Sequence, residues 1–139
     1  MFRIIEARDV GMKIRQFVIA APRIARKHRP GQFVILRLHD KGERIPLTIK
    51  SSVPSAGTVT LVVQAVGKTT SLMNCLEAGD MILDLAGPLG TPSTIRNYGT
   101  VVILAGSVGT AMAPACRSSS AFRENTSTGS IRQMNSLPA

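Results

Sequence analysis

Tryptophan is absent from this 139-residue chain, tyrosine occurs once and phenylalanine four times. A core with so few large rings must be filled mainly by Val, Ile, Leu and Ala, which favours a β-rich body. The same scarcity weighs against a single-strand nucleic-acid binder, because such proteins stack bases on aromatic faces. Cysteine is scarce as well. Cys75 and Cys116 form no ligand cluster, so the reading is no metal and two free thiols in a cytoplasmic protein. Long hydrophobic runs are missing. Val101 to Ala105 is far too short to span a bilayer, and Arg3, Glu6, Arg8 and Asp9 stand where a signal peptide needs apolar residues. A membrane partner is therefore not expected.

What is present suits one folded domain: 44% of residues are hydrophobic, enough to bury a core at this length. The net charge of +9 is unevenly spread. Residues 1–50 hold 12 Lys/Arg against 4 Asp/Glu, residues 51–100 hold 2 against 3, and residues 101–139 hold 3 against 1. The excess in the first third can attract an acidic protein, a phosphate-bearing cofactor or nucleic acid, or can be a plain solvated face.

Short β-type runs follow one another with turns between them. Phe2 to Val10 and Met12 to Ala21 are split at Gly11, and Pro22 ends the second. Pro30-Gly31 launches a strand over Gln32 to Leu38, and a turn over Asp40 to Glu43 leads to a short one over Ile45 to Lys50. Thr58 to Val66 alternates Thr with apolar residues and is the clearest strand. Gly67-Lys68-Thr69-Thr70-Ser71 then opens the one expected helix, whose apolar stripe is Leu72, Met73 and Leu76, and Gly79-Asp80 stops it. Met81 to Leu85 is the next strand. This pattern predicts a mainly all-β fold, a closed antiparallel barrel with one short helix. The expected boundaries are a barrel over 1–96, the opening strand of an α/β nucleotide-binding domain within 97–116, and a disordered Ser/Thr-rich tail over 117–139.

Three stretches carry candidate chemistry. Arg44-Ile45-Pro46-Leu47-Thr48-Ile49 could give a flavin a hydrogen-bonding partner near N5, an apolar wall and a positive charge, or could be an ordinary strand edge. Gly67-Lys68-Thr69-Thr70-Ser71 allows close backbone approach and offers amides and hydroxyls to an anion. It is either a helix cap or a diphosphate site, and is not a Walker loop, because Val62 stands where the first glycine would be. Ala105-Gly106-Ser107-Val108-Gly109-Thr110-Ala111 follows a Val-Val-Ile-Leu run, as in a dinucleotide turn, without a competent helix after it.

Taken in order, Pro30-Gly31-Gln32-Phe33-Val34, Glu43 to Ile49, Gln64 to Thr70 and Asp84 to Gly90 resemble the ferredoxin-NADP reductase superfamily. The wording is most similar to the alpha subunit of bacterial and archaeal ferredoxin-NADP reductase (sulfide dehydrogenase beta subunit) and to the electron-transfer subunit of dihydroorotate dehydrogenase. The resemblance covers residues 1 to about 111. It implies a six-stranded Greek-key barrel holding FAD. Thr48 would hydrogen-bond the flavin near N5 as the residue nearest the chemistry. Leu47 would stack near the ring, Pro46 would shape the strand and Arg44 would reach the pyrophosphate. Gln64, Ala65 and Val66 would line the flavin, and Gly67, Thr69 and Thr70 would hold the pyrophosphate.

Members of that group pass electrons between NAD(P)H, FAD and an iron-sulfur partner. This implies a partner oxidoreductase subunit or an acidic ferredoxin. The chain departs from the pattern at Ala105 to Gly109 and lacks the cysteine cluster for a [2Fe-2S] centre, so no NAD(P)H or cluster site is expected and the nicotinamide domain reads as truncated. Alternative readings are a non-catalytic flavin-barrel remnant and a basic nucleic-acid-binding barrel. Self-association through an uncovered domain interface is a further expectation.

Overall fold

The computed structural model describes residues 1–94 and the backbone of two further strands. The elements are β1 (Phe2–Gly11), β2 (Ile14–Ala20), α1 (Pro22–Lys27), β3 (Phe33–Arg37), β4 (Ile45–Val53), β5 (Thr58–Gln64), α2 (Lys68–Met73), β6 (Met81–Ile82), β7 (Asp84–Leu89), β8 (Val101–Ile103) and β9 (Arg132–Met134). Alternation decides which face each strand buries. In β5, Val59, Leu61 and Val63 are buried while the intervening residues are only half-covered. Val34 and Leu36 in β3, Ile49 in β4 and Phe17 and Ile19 in β2 join them in one core, with Ile4, Ile82, Leu85 and Met73.

Seven strands form one antiparallel sheet in the order β6-β1-β2-β5-β4-β3-β7. β3, β4 and β5 are a meander, while β2 lies beside β5 instead of β3, which is the Greek-key arrangement. The expectation of six strands is corrected to seven, because the last one breaks at Leu83. Before the break Ile82 pairs with Phe2 of β1; after it Leu85 pairs with Leu36 of β3. One stretch of chain thus joins both edges of the sheet and nearly closes the barrel. Leu83 keeps a hydrogen bond to the Leu38 carbonyl across the break, at 3.3 Å.

The expectation of one helix is also corrected, to two. α1 is the addition, because Pro22 presets the first helical φ and Ile24 and Ala25 find apolar burial. It packs against β4, β5 and β7. Beyond the barrel, β8 pairs antiparallel with β9, Val101 opposite Met134. All of Ala105 to Ala111, and the tail apart from β9, lie outside the described residues. Among the described residues no helix is long and apolar enough to cross a membrane.

Candidate functional site

β4 changes partner along its length. Ile45, Pro46, Leu47 and Thr48 pair with Leu36, Ile35, Val34 and Phe33 of β3. Pairing with β5 begins only at Ile49, opposite Leu61, and continues through Ser51, Ser52 and Val53. Beyond Leu61, β5 stays with β2, Gln64 opposite Ile14. The two strands therefore part between Ile49 and the start of β4. The Ile49 amide donates to the Gln32 carbonyl on the β3 side at 3.1 Å. Main-chain groups alternate in direction along a strand, so those of Thr48 and Pro46 turn toward β5. Pro46 has no N–H to give there, which is one reason that the ladder stops.

The parted strands meet again at the far end. The Thr69 hydroxyl, on the first turn of α2, donates to Glu43 Oε2 at 2.9 Å. Residues 43–49 and 61–69 thus bound a gap closed at one end by Ile49 and Leu61 and at the other by Glu43 and Thr69. It is roughly 20 Å long at strand spacing.

Thr48 and Pro46 share the outer face of β4 with their β3 partners Phe33 and Ile35, which are half-buried. Leu47 does not join them: with Ile45 it packs on the core. Arg44 is turned to β7, its Nη2 3.9 Å from Asp84 Oδ2 in an exposed pair. Gln64 closes β5, the Ala65 amide donates to the Lys13 carbonyl at 2.8 Å, and Val66 is 78% exposed.

The Gly67–Thr70 turn is held by Thr70. Its hydroxyl accepts from the amides of Val66 at 3.1 Å and Gly67 at 2.9 Å, and donates to the Gly67 carbonyl at 3.1 Å. That hydroxyl is committed to the turn. The amides of Lys68 and Thr69 have no acceptor within their own helix, as in any first turn. Gly67 has extended backbone, φ −144°, and a Cβ built there would meet only Thr70 Oγ1, at 3.9 Å. The fold itself thus has no need of glycine at this position. The open space beside free amides is a cradle that a side chain would fill.

Two further residues position the site, and only the folded chain reveals them. Arg15 on β2 donates to the carbonyls of Asn74 at 2.7 Å and Leu76 at 2.9 Å, pairs with Glu77 at 3.0 Å and Asp9 at 3.1 Å, and lies over Phe17. It fixes the C-terminal end of α2, and its hydrogen bond to Glu77 holds its pKa above the ordinary arginine value. Gln32 is buried. It accepts from the Arg29 amide and donates to the Gly90 carbonyl, both at 2.9 Å, binding the barrel's exit to the entry of β3. The one sequence signal for Arg15 was a charge breaking the alternation of β2.

A family model described as the oxidoreductase FAD-binding domain matches residues 1–93. The chain is 46% identical over 108 residues to a Thermotoga maritima protein named as a dihydroorotate dehydrogenase B (NAD(+)) electron transfer subunit homolog, covering 78% of this chain and 38% of that one. It is 33% identical over 88 residues to the gamma subunit of Pyrococcus furiosus sulfhydrogenase 2, covering 62% and 29%. Among solved structures, the NADH-dependent reduced ferredoxin-NADP oxidoreductase superposes with a TM-score of 0.81 at 43% identity, over 83% of this chain and 42% of that one. The chain spans about two-fifths of the length of the first and last of these relatives.

Proposed function

The chain belongs to the oxidoreductase FAD-binding domain family, and from that premise we propose that its FAD lies along the parting of β4 and β5. Thr48 stands at the isoalloxazine ring near N5 and the Gly67–Thr70 turn at the diphosphate. The observation that carries this reading is the double closure of one gap, by Ile49 with Leu61 and by Glu43 with Thr69. It brings a strand-borne threonine and a glycine-opened turn to the two ends of a single elongated space.

When bound, FAD supplies acceptance of a hydride and release of single electrons. The chain supplies binding and orientation. Thr48 offers a hydroxyl on the outer face of β4, and Pro46 keeps β5 from closing over it. Leu47 backs the strand from the core side. Gln64, Ala65 and Val66 line the β5 wall. Gly67 leaves room for phosphate oxygens to reach the amides of Lys68 and Thr69. Thr70 acts by holding the turn in shape. Arg44 sits in an exposed ion pair of little worth, and its long side chain leaves Asp84 for the diphosphate.

For the whole protein, the reading is electron transfer between NAD(P)H, this flavin and an iron-sulfur partner, either another oxidoreductase subunit or an acidic ferredoxin. Arg23, Arg26, Lys27 and Arg29 support an acidic partner. All four are exposed, and none takes part in an ion pair among the described residues.

The test begins with the purified protein, which should be yellow and release FAD. Gly67→Val should still fold, with a loss of about 1 kcal/mol at the helix cap, yet bind FAD at least a hundredfold more weakly, about 3 kcal/mol. Thr48→Val should weaken binding about tenfold by losing one hydrogen bond. FAD affinity that is unchanged in both, by flavin fluorescence titration, sinks the placement. Reduction of the bound flavin by NAD(P)H tests the whole-protein reading separately.

A further inference from the structure

Glu43 is an exposed carboxylate whose one partner among the described residues is the Thr69 hydroxyl, at 2.9 Å. It joins none of the ion pairs, although Arg44 is its neighbour. Thr69 is the opposite case. It is only 7% exposed, so its hydroxyl needs an acceptor, and it has a single proton to give. The other hydroxyl of the turn, on Thr70, is already spent on Val66 and Gly67. Thr69 is thus the turn's one hydroxyl that can change partner.

We propose that Glu43 is a built-in competitor for the FAD diphosphate, holding Thr69 in the cofactor-free fold and yielding it when the cofactor enters. This rests on the FAD placement proposed above. The exchange swaps one anionic acceptor for another, so the buried hydroxyl is never left bare. Glu43 can turn out to water at little cost because it is already exposed. A carboxylate and a diphosphate cannot share one proton, and their charges repel at this range. Glu43 therefore keeps the turn ordered without cofactor and lowers affinity for any ligand that carries a diphosphate.

The experiment titrates FAD and riboflavin, which has no phosphate, into the cofactor-stripped wild-type chain, Glu43→Gln and Gly67→Val. Glutamine keeps an oxygen for Thr69 and removes the charge. Flavin fluorescence gives each dissociation constant. The expected result is FAD bound about tenfold more tightly by Glu43→Gln, the size of one surface charge repulsion, with riboflavin unchanged. If Glu43→Gln binds FAD no more tightly while Gly67→Val has lost it, the competitor is overturned and the FAD placement stands. Equal tightening for FAD and riboflavin also overturns it, because Glu43 then acts on something other than the diphosphate. If FAD affinity ignores both substitutions, the placement fails and the competitor fails with it.

Discussion

Pro22–Lys27 and Lys68–Met73 are both six-residue helices, and they are anchored in different ways. α1 has no side-chain cap and is fixed by Ile24 and Ala25 sinking into the core, with Arg26 and Lys27 at its favourable C-terminal end. α2 also buries one large apolar residue, Met73, but its ends are set by polar ties: Glu43 and Thr70 at the start, Arg15 at the finish. Apolar burial has no direction and no alternative partner, so α1 is a permanent plug. A hydrogen bond can be handed to a new acceptor, so the end of the barrel built from polar ties is the end suited to receive a cofactor.

Ile24→Ala tests the plug most severely. Removing a buried isoleucine side chain should cost about 3 kcal/mol in chemical denaturation, with FAD affinity of the folded fraction retained. A smaller loss with weakened FAD binding would break the distinction between the helices. Arg15→Met keeps the aliphatic stem but leaves the Asn74 and Leu76 carbonyls without their donor. It should cost about 2 kcal/mol and raise amide exchange in α2 while α1 stays protected. Equal loosening of both helices would show that they are not independently held.

The smallest effect concerns His28, at the C-terminal end of α1, whose Nδ1 lies 2.9 Å from Ser52 Oγ. Burial pushes its pKa below the ordinary value of 6.5. The unfolded chain then takes up the proton first as pH falls. Stability should decline as pH drops through about 6.5 and level off, for this group, below the folded pKa. His28→Gln should flatten that slope in thermal melts taken between pH 7.5 and roughly pH 5. An unchanged slope would assign the pH dependence to other groups.

Much of the barrel was legible because strand alternation is a local property. Thr58 to Val63 shows its buried face in six consecutive letters, and Pro30-Gly31 marks a turn that glycine's positive φ, 87°, requires. The order Gly67, Thr69, Thr70 announced the turn that opens α2. The pairing of Leu47 with Val34, and its packing on the core, follow from a register set by the whole meander, not from the residues beside it. Nothing near Glu43 in the sequence hints at Thr69, which is 26 residues away.

The sequence by itself determined which segments become strands, where the chain turns and which family's barrel it builds, since period-two patterning and turn residues act within a few neighbours. Only the tertiary structure decided that Met81 to Leu89 serves both edges of the sheet, that β4 pairs with β5 only from Ile49 onward, and that Arg15 and Glu43 grip opposite ends of α2. Those contacts join residues 26 to 80 positions apart (Glu43 with Thr69, Phe2 with Ile82). They exist because the barrel nearly closes, and closure is a property of all the strands together.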